Sequence, residues 1–104
     1  MYTEWKFQLA QHEIRITNHW FGGLKLYVDG QLQDTNFNPF AFGKNVFLSC
    51  NLDELGKLEV TPYAPFFTVE ISVRLTTSDD SILIFSTYER QTLREKRLFS
   101  ELAN

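Results

Sequence analysis

Hydrophobic and polar residues alternate with a period of two along most of the chain, and that period marks strands rather than helices. Residues 3–9 set Trp5, Phe7 and Leu9 against Glu4, Lys6 and Gln8, which predicts a half-buried first strand closed by a turn at Ala10 and Gln11. Residues 12–18 put Ile14 and Ile16 on one face and Arg15 and Thr17 on the other. Residues 46–52 direct Val46, Leu48, Cys50 and Leu52 inward; residues 53–56 turn, and residues 57–61, with Leu58 and Val60, pair back. The cleanest alternation spans residues 66–76, where Phe67, Val69, Ile71, Val73 and Leu75 make a core face and Thr68, Glu70, Ser72, Arg74 and Thr76 a wet one. Full burial of five such side chains, at about 1.5–3 kcal/mol each, is a large share of what offsets chain entropy. After a loop at residues 77–81, the run Ile82-Leu83-Ile84-Phe85 reads as a strand buried on both faces.

The stretch Gly22 to Asp34 is a β-hairpin with Asp29-Gly30 at its tip, because Gly accepts positive φ without a Cβ clash and Asp tolerates it. A two-residue loop would oppose Leu26 to Gln33 and Val28 to Gln31. A three-residue loop with Gly30 as the bulge residue opposes Leu26 to Leu32 and Tyr27 to Gln31, and the hydrophobic pattern selects it. The pair Gly22-Gly23 predicts a tight turn or bulge before the hairpin.

Two stretches break the period. Residues 36–44 mix Asn, Pro and Gly with Phe37, Phe40 and Phe42, which predicts a loop folded back onto the core. Pro62, Tyr63 and Pro65 predict an irregular link, since proline cannot donate to a ladder. Thr92-Leu93-Arg94-Glu95 fits a capping box, and residues 93–102 are expected to form a short helix with Leu98, Phe99 and Leu102 on one face and Leu93 opposite. About eight strands and one terminal helix make a mainly β domain over residues 1–104: an antiparallel β-sandwich, a small open barrel, or a strongly bent single sheet.

Composition narrows the function more than it specifies it. The chain has 104 residues, enough for one domain, and 15% of them are aromatic, which suits strands. Ten Lys and Arg against thirteen Asp and Glu give a net charge of -3, which speaks against nucleic acid and anionic membranes, because phosphate binding rests on clustered positive charge. The single cysteine, Cys50, excludes an internal disulfide or a cysteine metal cluster. The first residues carry charges and no apolar run fit for a signal peptide, and no stretch approaches the roughly 20 apolar residues of a membrane span, so a cytoplasmic protein is expected.

No residue set specifies a reaction. His12 and His19 fall on opposite faces of one strand and Glu13 points away from His12, so no metal site is expected; Cys50 reads as a core residue and Asp79-Asp80 as turn chemistry. The mixed charges of residues 89–97 read as a solvated helix face. The aromatic clusters are the one lead. Trp20-Phe21, Phe37 to Phe42 and Tyr63 to Phe67 lie in or beside irregular connections and could line a pocket at one end, or could plug the core. The candidate ligand-binding residues are therefore His19, Trp20, Phe21, Phe40, Phe42 and Tyr63, with no catalytic residue and no cofactor.

Trp20-Phe21-Gly22 followed by Leu26-Tyr27-Val28-Asp29-Gly30 resembles small bacterial β-proteins of no established activity. The same residues resemble the β-sandwich repeats of the Fas apoptosis inhibitory molecule family, where a strand ending Tyr-Val-Asp-Gly recurs. The likeness covers about a quarter of the chain and implies an interaction module without catalysis; it carries over no site residue, and the C-terminal helix is not part of it. The expectation is a non-catalytic binding or self-association module with a protein partner or a second copy of itself. The alternative is a small-molecule binder or weak hydrolase at the aromatic end.

Overall fold

The computed structural model describes residues 2–19, 23–37, 46–63 and 69–87. Their strands are β1 (Tyr2–Leu9), β2 (His12–His19), β3 (Gly23–Val28), β4 (Gln31–Asn36), β5 (Leu48–Asn51), β6 (Lys57–Tyr63), β7 (Glu70–Thr76) and β8 (Ser81–Ser86). They form two four-stranded antiparallel sheets, each a meander in chain order, β1-β2-β3-β4 and β5-β6-β7-β8. The mainly β expectation holds, and each strand overlaps a stretch read as a strand: most by period-two alternation, β4 by the turn before it and β8 by its unbroken apolar run. The helix expected at residues 93–102 lies outside the described residues.

Both sheets turn their apolar faces onto one core. Ile14, Ile16, Leu24 and Leu26 from the first sheet and Leu48, Leu58, Val60, Ile71 and Val73 from the second belong to a single buried cluster. Phe7 of β1 stacks on Phe85 of β8, ring centroids 4.8 Å apart and planes 8° from parallel. On the opposite side β4 lies against β5.

The hairpin corrects the sequence reading. It closes through the two-residue loop Asp29-Gly30, both in the left-handed region at φ 53° and 81°, with Val28 opposite Gln31 and Tyr27 opposite Leu32. Gln33 is then an extra residue, so Leu26 meets Asp34 and Leu24 meets Asn36. The preference for Leu26 opposite Leu32 assumed that β4 shares the buried face. Leu32 is instead 50% exposed on the outer face, and the inner face of β4 is polar.

Four further expectations are corrected. β6 continues through Pro62, which is buried and paired with Ile71. The Phe47 N–H donates to Val60 C=O (2.9 Å), so Val60 addresses β5; by alternation Pro62 does too, but β5 has ended there and no donor is required. Val46 is 47% exposed rather than inward, because Phe47 also binds Val60 and packs on the core beside Leu48. Phe37 is 67% exposed and does not fold onto the core. The outer face of β7 is not wet throughout: Ser72 is buried there, as is Leu83, which pairs with Arg74 because β8 carries an extra residue, Ile84. β7 is a central strand flanked by β6 and β8, a position that alternation does not reveal.

Candidate functional site

The topology sorts the candidate residues between two ends. The turn at Ala10 and Gln11, the turn at Asp29-Gly30 and the 3-10 turn at Asp53–Leu55 share one end, since His12 bonds Asp29 and one depression is lined by Ala10 to His12 and Leu52 to Leu55. Strands running away from these turns finish at the other end, at His19, Asn36 and Tyr63. His19 is exposed and Tyr63 is 38% exposed. Trp20, Phe21, Phe40 and Phe42 lie outside the described residues. The strand ends that lead into all three aromatic stretches are thus on the same end.

At the turn end, His12 Nδ1 lies 2.7 Å from Asp29 Oδ2, and Asp29 Oδ1 accepts the Glu13 N–H at 2.9 Å. The Asp29 N–H in turn donates to Glu13 C=O (2.9 Å). The hydrogen bond to His12, then that from the Glu13 backbone, hold the Asp29 carboxyl below its ordinary range. Spacing hid this pair, because the partner of His12 comes from the next hairpin rather than from Glu13; the signal was two turns at one end of adjacent strands. The neighbouring depression, about 640 Å³ and open, is lined by Ala10, Gln11, His12, Leu52, Asp53, Glu54 and Leu55. Its lining supplies carboxylates and a histidine, and none of the lining side chains carries a hydroxyl, thiol or amine that could act as a covalent nucleophile. Among the described residues no three metal-ligating side chains converge. Cys50 is half-buried, with its Sγ 3.6 Å from Gln33 Oε1 and 3.5 Å from Asn51 C=O; burial first, then Asp34 and Asp53, push its thiol up, away from the thiolate a nucleophile needs.

The sheet edges divide into closed and open. Where the sheets meet, Asp34 Oδ2 accepts the outward N–H of Ser49 at 2.9 Å, and Asn36 Nδ2 donates to Phe47 C=O at 3.1 Å. The polar inner face of β4 thereby occupies the edge of β5. β8 carries an extra residue, Ile84, that shifts its register against β7. β1 differs from all three: eight residues without bulge or proline, paired in unbroken register with β2 from Tyr2↔His19 to Leu9↔His12.

Backbone parity shows what β1 presents. Glu13 addresses β3, so the alternate residues His12, Ile14, Ile16 and Asn18 address β1, and their partners Leu9, Phe7, Trp5 and Thr3 spend their N–H and C=O groups on β2. Tyr2, Glu4, Lys6 and Gln8 point theirs out of the sheet, and among the described residues no strand pairs with them. Among the described residues, too, no helix is long and apolar enough to cross a membrane. No family model, curated protein or solved structure matches the chain.

Proposed function

We propose that this β-sandwich is a non-catalytic interaction module that accepts a strand from a protein partner along β1. The observation that carries the reading is the outward edge itself, with backbone donors and acceptors at Tyr2, Glu4, Lys6 and Gln8 over about 27 Å of straight strand. Strand addition at such an edge gains main-chain hydrogen bonds, while alternate side chains provide selectivity. Amide exchange measured while strand-forming peptides of alternating sequence are titrated tests it. Slowed exchange at Glu4, Lys6 and Gln8 is expected, and unchanged exchange there with every peptide and at every protein concentration would sink the reading.

The alternative, a small-molecule site at the aromatic end, draws on the shared end of β2, β4 and β6. It expects amide shifts at His19 and Tyr63 on addition of a mixed metabolite set. No shift at either position would remove it.

A further inference from the structure

Building on the edge-pairing reading, we infer that the strand accepted by β1 is the β1 of a second copy, paired antiparallel about a two-fold axis that relates the two Trp5 residues. The argument is a count of registers. Antiparallel ladders form only between residues whose backbone groups face each other, so the outward residues Tyr2, Glu4, Lys6 and Gln8 of one copy must meet the same set in the other. A slip of one residue would set outward groups against residues already bonded to β2. The permitted registers therefore differ by two residues, and charge separates them.

With Trp5 opposite Trp5 of the second copy, Glu4 faces the second copy's Lys6, Lys6 faces its Glu4, and Tyr2 faces Gln8. Each copy contributes four outward N–H groups, and every one finds a carbonyl. The neighbouring registers bring Glu4 against Glu4 or Lys6 against Lys6 and shorten the ladder at both ends. Like charges directly opposite on a ladder are destabilising and unlike charges favourable, so the sequence YTEWKFQL is self-complementary in one register only. An isologous contact of this kind closes on itself and merges two four-stranded sheets into one of eight.

The monomer's own charges point the same way. Lys6 stands opposite Arg15 on the β1–β2 ladder, a like-charged neighbour, whereas Glu4 already accepts from Tyr2 Oη (3.0 Å) and Arg15 Nη1 (3.4 Å). Among the described residues no ion pair involves Lys6, and the second copy's Glu4 would supply one directly opposite. On the inner face, half-buried Trp5 and Phe7 sit at the margin of the core. Apposition of the two margins extends the core across the axis.

A charge swap read by sedimentation and by amide exchange tests the register. The wild-type chain should dimerise as its concentration rises toward millimolar, with exchange slowing at Glu4, Lys6 and Gln8 together. Lys6→Glu places two glutamate pairs across the axis and should weaken the dimer by about tenfold or more. The double variant Glu4→Lys with Lys6→Glu restores unlike pairs and should recover most of that loss. A chain that stays monomeric overturns the inference, as does a dimer whose β1 amides remain unprotected or that ignores the single swap. If the monomer's β1 amides are nevertheless slowed by added strand peptides, the edge-pairing reading survives without the self-pairing; if they respond to nothing, both fail.

Discussion

The two long sides of the stacked sheets solve the same problem in opposite ways. A sheet edge exposes unpaired N–H and C=O groups, and where β4 meets β5 the chain closes them with side chains: Asp34 takes the Ser49 N–H and Asn36 reaches Phe47 C=O. Where β1 meets β8 the aromatic pair Phe7 and Phe85 joins the interiors, but the outer edge of β1 is left straight and unpaired among the described residues. Chains usually blunt such edges with bulges, proline or short strands, and β4, β5 and β8 each carry one of these devices. Among the described edge strands β1 alone keeps eight regular residues, and that difference is what the proposal of strand pairing rests on.

The largest expected effect breaks the closed side. Gly23 has φ +75°, and a Cβ there would clash with the carbonyl oxygen of Asn36 and the backbone of Phe37. Gly23→Ala combines left-handed strain with a backbone clash that pushes Asn36 from β5, so a loss of about 2–4 kcal/mol is expected in urea unfolding. A loss below about 1 kcal/mol would mean that the β3–β4 end tolerates separation and that the closure is not tight. Asp34→Ala acts on the same side with less force. It leaves the part-buried Ser49 N–H without an acceptor, which costs about 1–3 kcal/mol. Exchange at Ser49 should accelerate while the β1 amides stay as they were; equal acceleration on both sides would show that the variant loosens the whole fold instead.

The open side is tested by a substitution that should do little. Proline at position 6 removes an N–H that points out of the sheet, so Lys6→Pro should change monomer stability by about 1 kcal/mol or less, while abolishing pairing at that edge. A loss above about 3 kcal/mol, the size expected when a ladder bond is broken, would show that Lys6 bonds to β2 and that the assignment of outward residues is reversed.

How far the sequence reveals this contrast depends on which physical signal carries each part. Strand positions are legible because a half-buried strand must alternate, and Trp5, Phe7 and Leu9 or Ile71, Val73 and Leu75 do so. The register of the β3–β4 hairpin is not, because the rule that leucines share a face fails where the inner face of an edge strand is given over to Asp34 and Asn36 for capping a neighbour. Pro62 misleads for a related reason: its meaning depends on where β5 ends, a fact about another segment. Of the candidate residues, His19 and Tyr63 are the described ones, and their lying on the common end of β2, β4 and β6 follows from strand order rather than from any residue pattern. The opposite charges of Glu4 and Lys6 on either side of Trp5 are visible in the sequence, but they acquire the meaning proposed for them only once β1 is known to lie at the edge of its sheet.

The smallest expected effect concerns the turn end, where His12, Asp29 and the Glu13 N–H tie the β1–β2 turn to the β3–β4 turn and so join the open half of the first sheet to the closed half. Asp29 is an exposed carboxylate held below its ordinary value of 3.8, so its folded form binds a proton less readily than its unfolded form. Its contribution to stability is therefore complete above the ordinary carboxylate range and is lost as pH falls through the folded value. Asp29→Asn keeps a residue that tolerates positive φ and removes the titrating group. Melting temperature measured from pH 7 to pH 3 should fall less steeply for the variant, by on the order of 2 °C, because an exposed pair is well screened. Parallel profiles would show that Asp29 acts through turn geometry alone and that the tie between the two hairpins carries no charge-dependent part.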